Sequence, residues 1–172
     1  MNVSFWLRLK AFFIDYFIIL AYLAVLFIVN VFIFPDLQKF FQGSAATAQF
    51  TGFLMVTLPV SLYFVISEVM FNGQSVGKKK LNMQVVGAKG EKISLRKSIF
   101  RTLLKFLPWE MSHFLIYRLM EIGEEPVPVF YMIVGVCIYA LMFLYILTAI
   151  FTKKKQAFYD RVAKTKVVKI SA

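Results

Sequence analysis

Cysteine and histidine are almost missing from this 172-residue chain, which has one of each, Cys137 and His113. A single cysteine cannot close an intramolecular disulfide, so nothing requires an oxidising compartment. Cys137 reads as a small buried hydrophobe in a helix. No Ser/His/Asp set and no cluster of metal ligands is present, so the reading is not an enzyme, with no cofactor and no metal. The one phosphate-loop-like run, GQSVGK, is a residue short and has Lys79 in place of the Ser or Thr. It also follows an apolar span rather than a strand, so the comparison fails. Acidic residues are scarce as well, nine against twenty Lys and Arg, for a net charge of +11. That excess does not point to nucleic acid, because the basic residues cluster between apolar runs, as they do in the cytoplasmic loops of membrane proteins.

What is present is apolar. Some 60% of the residues are hydrophobic and 17% aromatic, against about 45–50% apolar in a soluble domain. Such a chain is solvated largely by lipid, and its length suits a single domain over residues 1–172. The first apolar run, residues 11–34, is interrupted only by Asp15 and Asn30. As a helix it is about 36 Å long, enough for a hydrocarbon core of about 30 Å. A cleavable leader is excluded, since the run is too long and Ala46-Thr47-Ala48 lies too far beyond it. A second span covers residues 50–71 with Pro59 as a kink, a third 98–120 with Pro108, and a fourth, free of charge, 129–151. Between the second and third, alternation at Leu81, Met83 and Val85 and a turn at Gly87–Gly90 predict a small β-hairpin over residues 78–95. The tail, residues 152–172, offers a short helical piece and a third strand at Thr165–Ile170. The expected fold is an all-α membrane protein, a four-helix transmembrane bundle carrying a small cytoplasmic β-hairpin or short sheet.

Charge fixes the expected topology. Lys and Arg number two at the N-terminus, one in the first loop, seven over residues 72–97, none in the acidic connector 121–127 and seven in the tail. The positive-inside rule then puts both termini on the cytoplasmic side of the cell (plasma) membrane. This requires the stretch 96–120 to cross, although an interfacial helix with a re-entrant turn at Pro108 is the rival placement. Lys97, Arg101 and Lys105 form a basic stripe whose side chains can snorkel. Lys78, Lys79, Lys80, Lys153, Lys154 and Lys155 read as topology and anionic-lipid anchors.

Ionisable groups at membrane depth are site candidates. Glu110 lies about 20 Å along the third span from Lys97, and His113 shares its helix face. A single Glu-x-x-His copy falls short of a bundle metal site, which leaves a structural pair or a proton relay. Arg8 and Asp15 share a face of the first helix; Asp15 needs a partner, with Arg101 or Lys105 the candidates, and Glu68 reaches nearly the same level. These carboxylates can be either an interhelical ion-pair cluster or a cation or proton site. Asp160 is a capping residue or a partner for a basic group beneath the bundle.

The order of these pieces resembles a known family. Arg8 and Asp15 on the first span are followed by GQSVGKKKLNMQVV, then Ser94-Leu-Arg96 leading to Arg101, and finally Ala157-Phe-Tyr-Asp160-Arg-Val-Ala-Lys-Thr165-Lys-Val-Val. This is similar to the RDD family of small bacterial membrane proteins, and the resemblance assigns Arg8, Asp15 and Asp160 to the positions that name it. Tyr159 departs from the His that many members carry before the final Asp, and the Pro108–His113 segment looks like a subgroup feature. The resemblance implies an integral membrane protein, with sodium/proton antiport described for some members. Two functions are therefore expected. The first is a small cation/proton exchanger, dimeric if so, with Asp15, Glu68, Glu110 and His113 handling the ions. The alternative is a non-transporting accessory or regulatory protein that docks a partner protein or anionic lipid through its basic cytoplasmic face.

Overall fold

Ser4 starts the first helix, its hydroxyl accepting from the Leu7 amide, and α1 runs Phe5–Ile28 before loosening into a π-helical turn at Val29–Ile33. In this computed structural model, which describes residues 3–170, the second rod is built in three pieces. They are α2 (Ala45–Gly52), a π-helical turn (Phe53–Thr57) and α3 (Leu58–Met70). The rod begins five residues ahead of the expected Phe50, because Ser44 Oγ takes the Thr47 amide at 3.2 Å and caps it there. After α4 (Val76–Lys80) and β1 (Met83–Gly87) come two long helices, α5 (Leu95–Ile122) and α6 (Val129–Phe151). The chain closes with α7 (Phe158–Val162) and β2 (Thr165–Lys169).

Three helical stretches are long and apolar enough to cross a membrane: Phe5–Ile33, Ala45–Met70 and Val129–Phe151. Helix α5 packs against α2, α3 and α6, but its ionisable residues keep it out of that set. The expected four-helix bundle is thus three apolar spans with a polar fourth helix alongside. Phe13, Phe17 and Phe27 of α1 and Phe130, Val136 and Phe143 of α6 are all exposed. Apolar faces of that extent are rare on soluble monomers. Cys137, expected to be buried, also lies on such a face of α6.

Burial instead concentrates at one end, where Val3, Ala11, Met83, Val85, Ile93 and Val167 form a compact apolar cluster. Here the expected hairpin is corrected. Strand β1 pairs antiparallel with β2, Met83 opposite Lys169 and Gly87 opposite Thr165, while the 92–95 return contributes one isolated bridge, Val86 to Lys92. The tail supplies the longer partner, and Val167 packs with Met83 and Val85 in the cluster that Ile93 of the return also joins. Val3 joins the same edge, its amide donating to Val167 O at 3.3 Å.

Both prolines inside helical rods are accommodated in the same way. Proline has no amide hydrogen, so it orphans the carbonyl four residues earlier. For Pro59 that carbonyl belongs to Met55, and the Tyr22 hydroxyl of α1 donates to it at 2.6 Å. For Pro108 it belongs to Leu104, and the Tyr145 hydroxyl of α6 donates to it at 2.6 Å. Each tyrosine thereby links two helices by a bond that a proline makes available. Tyr145→Phe should destabilise the protein by about 1–3 kcal/mol, the cost of an unsatisfied buried carbonyl. In a Pro108→Ala background, where the restored amide takes the carbonyl, the same change should cost far less. Thermal unfolding of the four proteins in detergent, read as a double-mutant cycle, checks this.

Candidate functional site: a buried ionic cluster

Four distant segments meet at the sheet end of the helices. Ser98 and Arg101 lie three apart on α5, hence on one face, and both point inward. The Arg101 guanidinium is 3% exposed; its Nη1 contacts Glu68 of α3, and its Nε donates to Asp160 Oδ1 of α7 at 2.8 Å. Arg8 Nη1 of α1 reaches the other oxygen of Asp160 at 2.6 Å. Glu68 also receives Ser98 Oγ at 2.9 Å and Lys78 Nζ at 3.4 Å. The ring of Tyr159 lies 5.3 Å from the Arg101 guanidinium and packs edge-on to Tyr145.

Asp15 lies beside this network but outside its ion pairs. The sequence suggested Arg101 or Lys105 as partners. Instead Asp15 accepts from three neutral donors: Tyr63 Oη at 2.8 Å, Ser75 Oγ at 2.6 Å and the Gly77 amide at 2.8 Å. Seven residues put Arg8 and Asp15 two turns apart, so Arg8 meets the tail while Asp15 meets the first turn of α4. Gly77 makes this approach feasible, since a Cβ there would sit 2.1 Å from the Ala11 carbonyl oxygen. The carboxylate therefore latches the GQSVGK segment to α1.

Two further corrections concern cations. Lys78, read as a lipid anchor, is buried on Glu68, whereas Lys79, Lys80, Lys153, Lys154 and Lys155 are exposed. Arg101, read as a snorkelling residue, turns into the protein, while Lys97 pairs outside with Glu91 at 2.8 Å. Lys105 lies 3.4 Å from the centre of the Phe64 ring, and among the described residues it has no carboxylate partner. Sequence reasoning missed Tyr63, Ser75 and Ser98; the only local signals were Ser75 and Ser94 at helix starts.

Outside the spans, burial works against every charge. It would push the Asp160 carboxyl up, but Arg101 and Arg8 outweigh it and hold the group below the usual carboxylate range. Burial, aided by Asp160, pushes the Tyr159 hydroxyl up to about 12, so it stays neutral at physiological pH. It cannot take the proton that a histidine there could. Burial lowers Lys78, and Glu68 offsets this only in part.

The Glu110–His113 pair lies elsewhere. Glu110 is nine residues, about 14 Å of helix, beyond Arg101. The Thr57 hydroxyl, from the π-helical turn, donates to Glu110 Oε1, and His113 Nδ1 stands 3.5 Å from the same oxygen. Both side chains are about a quarter exposed, and His113 also meets the Trp109 ring edge-on at 4.7 Å. The structure does not join this pair to Asp15 and Glu68.

A family model described as the RDD family matches residues 3–164. No curated protein and no solved structure matches the chain.

Asp160 generates a pH prediction. A carboxyl whose folded pKa is depressed stabilises the fold above its unfolded value, about 3.9, and that contribution is lost as pH falls through the folded value. Asp160→Asn, which leaves Arg8 and Arg101 buried without their carboxylate, should cost about 3–5 kcal/mol near neutrality. The gap to the wild type should narrow below pH about 3.9, as measured by denaturation at a series of pH values.

Proposed function

Because the chain belongs to the RDD family and carries three helices fit to cross a bilayer, it is a membrane protein, and we propose that it serves as a non-transporting accessory. In this reading α5 also crosses, both termini are cytoplasmic, and the sheet end lies at the inner surface of the plasma membrane. There the exposed lysines at 79, 80 and 153–155 face anionic lipid, each worth about 1 kcal/mol near such a surface.

One observation carries this reading: the three carboxylates at the sheet end are already occupied. Glu68 and Asp160 are neutralised by Arg101, Arg8 and Lys78, and Asp15 has three donors of its own. An incoming cation would have to displace a guanidinium at a site with more positive than negative charge. The exchange reading retains one supporting feature, the Glu110–His113 pair beside the π-helical turn, because such turns recur at functional sites.

Cation-dependent proton flux in proteoliposomes separates the two. The wild-type protein, reconstituted with a trapped pH dye, should show no flux above empty vesicles on adding sodium or potassium. Flux that disappears in folded Glu110→Gln would overturn the accessory reading and make this pair the transport site.

A further inference from the structure

Between α1 and α6, which scarcely touch, the helices leave a cavity of about 200 Å³ that opens beside the ionic cluster. Arg8, Asp15, Lys78, Arg101 and Lys105 line it on one side, and Phe12 and Ile146 are among its apolar walls. Within the cluster and this wall, four cations (Arg8, Lys78, Arg101, Lys105) face three carboxylates (Asp15, Glu68, Asp160). One formal positive charge is left over. Two of these cationic side chains have donors to spare: Arg8 Nη2 is buried without a hydrogen-bond partner, and the Lys105 ammonium lies over the Phe64 and Phe106 rings and, among the described residues, forms no ion pair.

Water can satisfy idle donors, but it does not hold a buried lysine ammonium in its charged form as an anion does. A cationic group away from bulk water is costly unless an anion meets it. The ligand therefore carries a negative charge and several acceptor oxygens, which a phosphate supplies and which guanidinium and ammonium groups both bind. The apolar wall, between two helices whose outer faces are exposed and apolar, selects an amphiphile over a soluble ion.

We propose that this cavity binds the phosphate headgroup of one anionic phospholipid, with Lys105 and Arg8 as its ligands and the acyl chains leaving between α1 and α6. The inference rests on the topology of the accessory reading, in which the sheet end lies at the inner leaflet. It goes beyond the lysine-coated face, because a built site selects a single lipid whereas exposed lysines attract a surface.

Native mass spectrometry of the full chain in detergent tests it, with phosphatidylglycerol, phosphatidylcholine and sodium phosphate as probes. One phosphatidylglycerol should be retained per chain, about tenfold more tightly than phosphatidylcholine, and sodium phosphate alone should not be. Lys105→Met should abolish the preference and Lys105→Arg preserve it, with both variants melting close to the wild type. Equal retention of the two lipids, or a preference untouched by Lys105→Met, would overturn the site. Retention of inorganic phosphate without preference for the anionic lipid would overturn the lipid assignment in favour of a soluble phosphate. Cation-dependent flux would overturn the accessory reading while leaving these binding results as measured, so the two failures are distinguishable.

Discussion

The guanidinium of Arg101 holds this molecule's polar end together. It spans Glu68 from the second rod and Asp160 from the tail, and Asp160 passes the connection to Arg8 on the first helix. Buried ion pairs of this kind add little net stability, because desolvation consumes most of the attraction. Removing one member is another matter, since it strands the others. The cluster therefore serves less as glue than as a registration device: four segments separated by up to 152 residues in sequence have one arrangement in which every carboxylate is met. The sheet follows from that arrangement. Once Asp160 is fixed, the residues after α7 are delivered alongside β1, and the local hairpin cannot compete with the longer ladder.

Along the helices a different economy operates. Lipid offers no hydrogen bonds, so every backbone group freed inside a span needs a partner from the protein. Pro59 frees one carbonyl inside a span and Pro108 frees one in α5, which packs against the spans, and Tyr22 and Tyr145 each meet one. The π-helical turn just before Pro59 aims Thr57 at Glu110. The same local irregularity thus bonds α1 to the second rod and the second rod to α5. An apolar-only interface could slide, whereas these bonds specify depth.

Sequence made three of the four expected spans legible because lipid solvation leaves a crude mark, about twenty apolar residues in a row. It also marked Arg8, Asp15, Glu68 and Asp160, since charges beside such runs demand an explanation. Partner choice was not legible. Helical spacing places Asp15 on the face of Arg8 but says nothing of which loop will arrive there, and the Gly77 amide proved closer than any arginine. Lys78 was misplaced for a related reason: in a run of three lysines, only the three-dimensional turn of α4 decides which one faces Glu68. The hairpin failed because strand alternation identifies strands and not their mates. The prolines were visible and their rescuers were not, since a tyrosine in an apolar run gives no sign of which carbonyl its hydroxyl will meet.

The sign of the leftover charge bears most directly on what the site can do. Had the carboxylates outnumbered the cations, the buried cluster would have suited a sodium ion or a proton. The opposite holds here. Arg101 and Arg8 already hold Glu68 and Asp160, so they cannot stand aside for a passing cation without stranding those carboxylates, and Asp15 is committed to holding a backbone turn. The cation left without a carboxylate is Lys105, and a lysine ammonium away from bulk water keeps its charge where an anion meets it. In a bilayer, the anions within reach of a helix end are lipid phosphates, at the level of the cavity between α1 and α6 in the proposed topology.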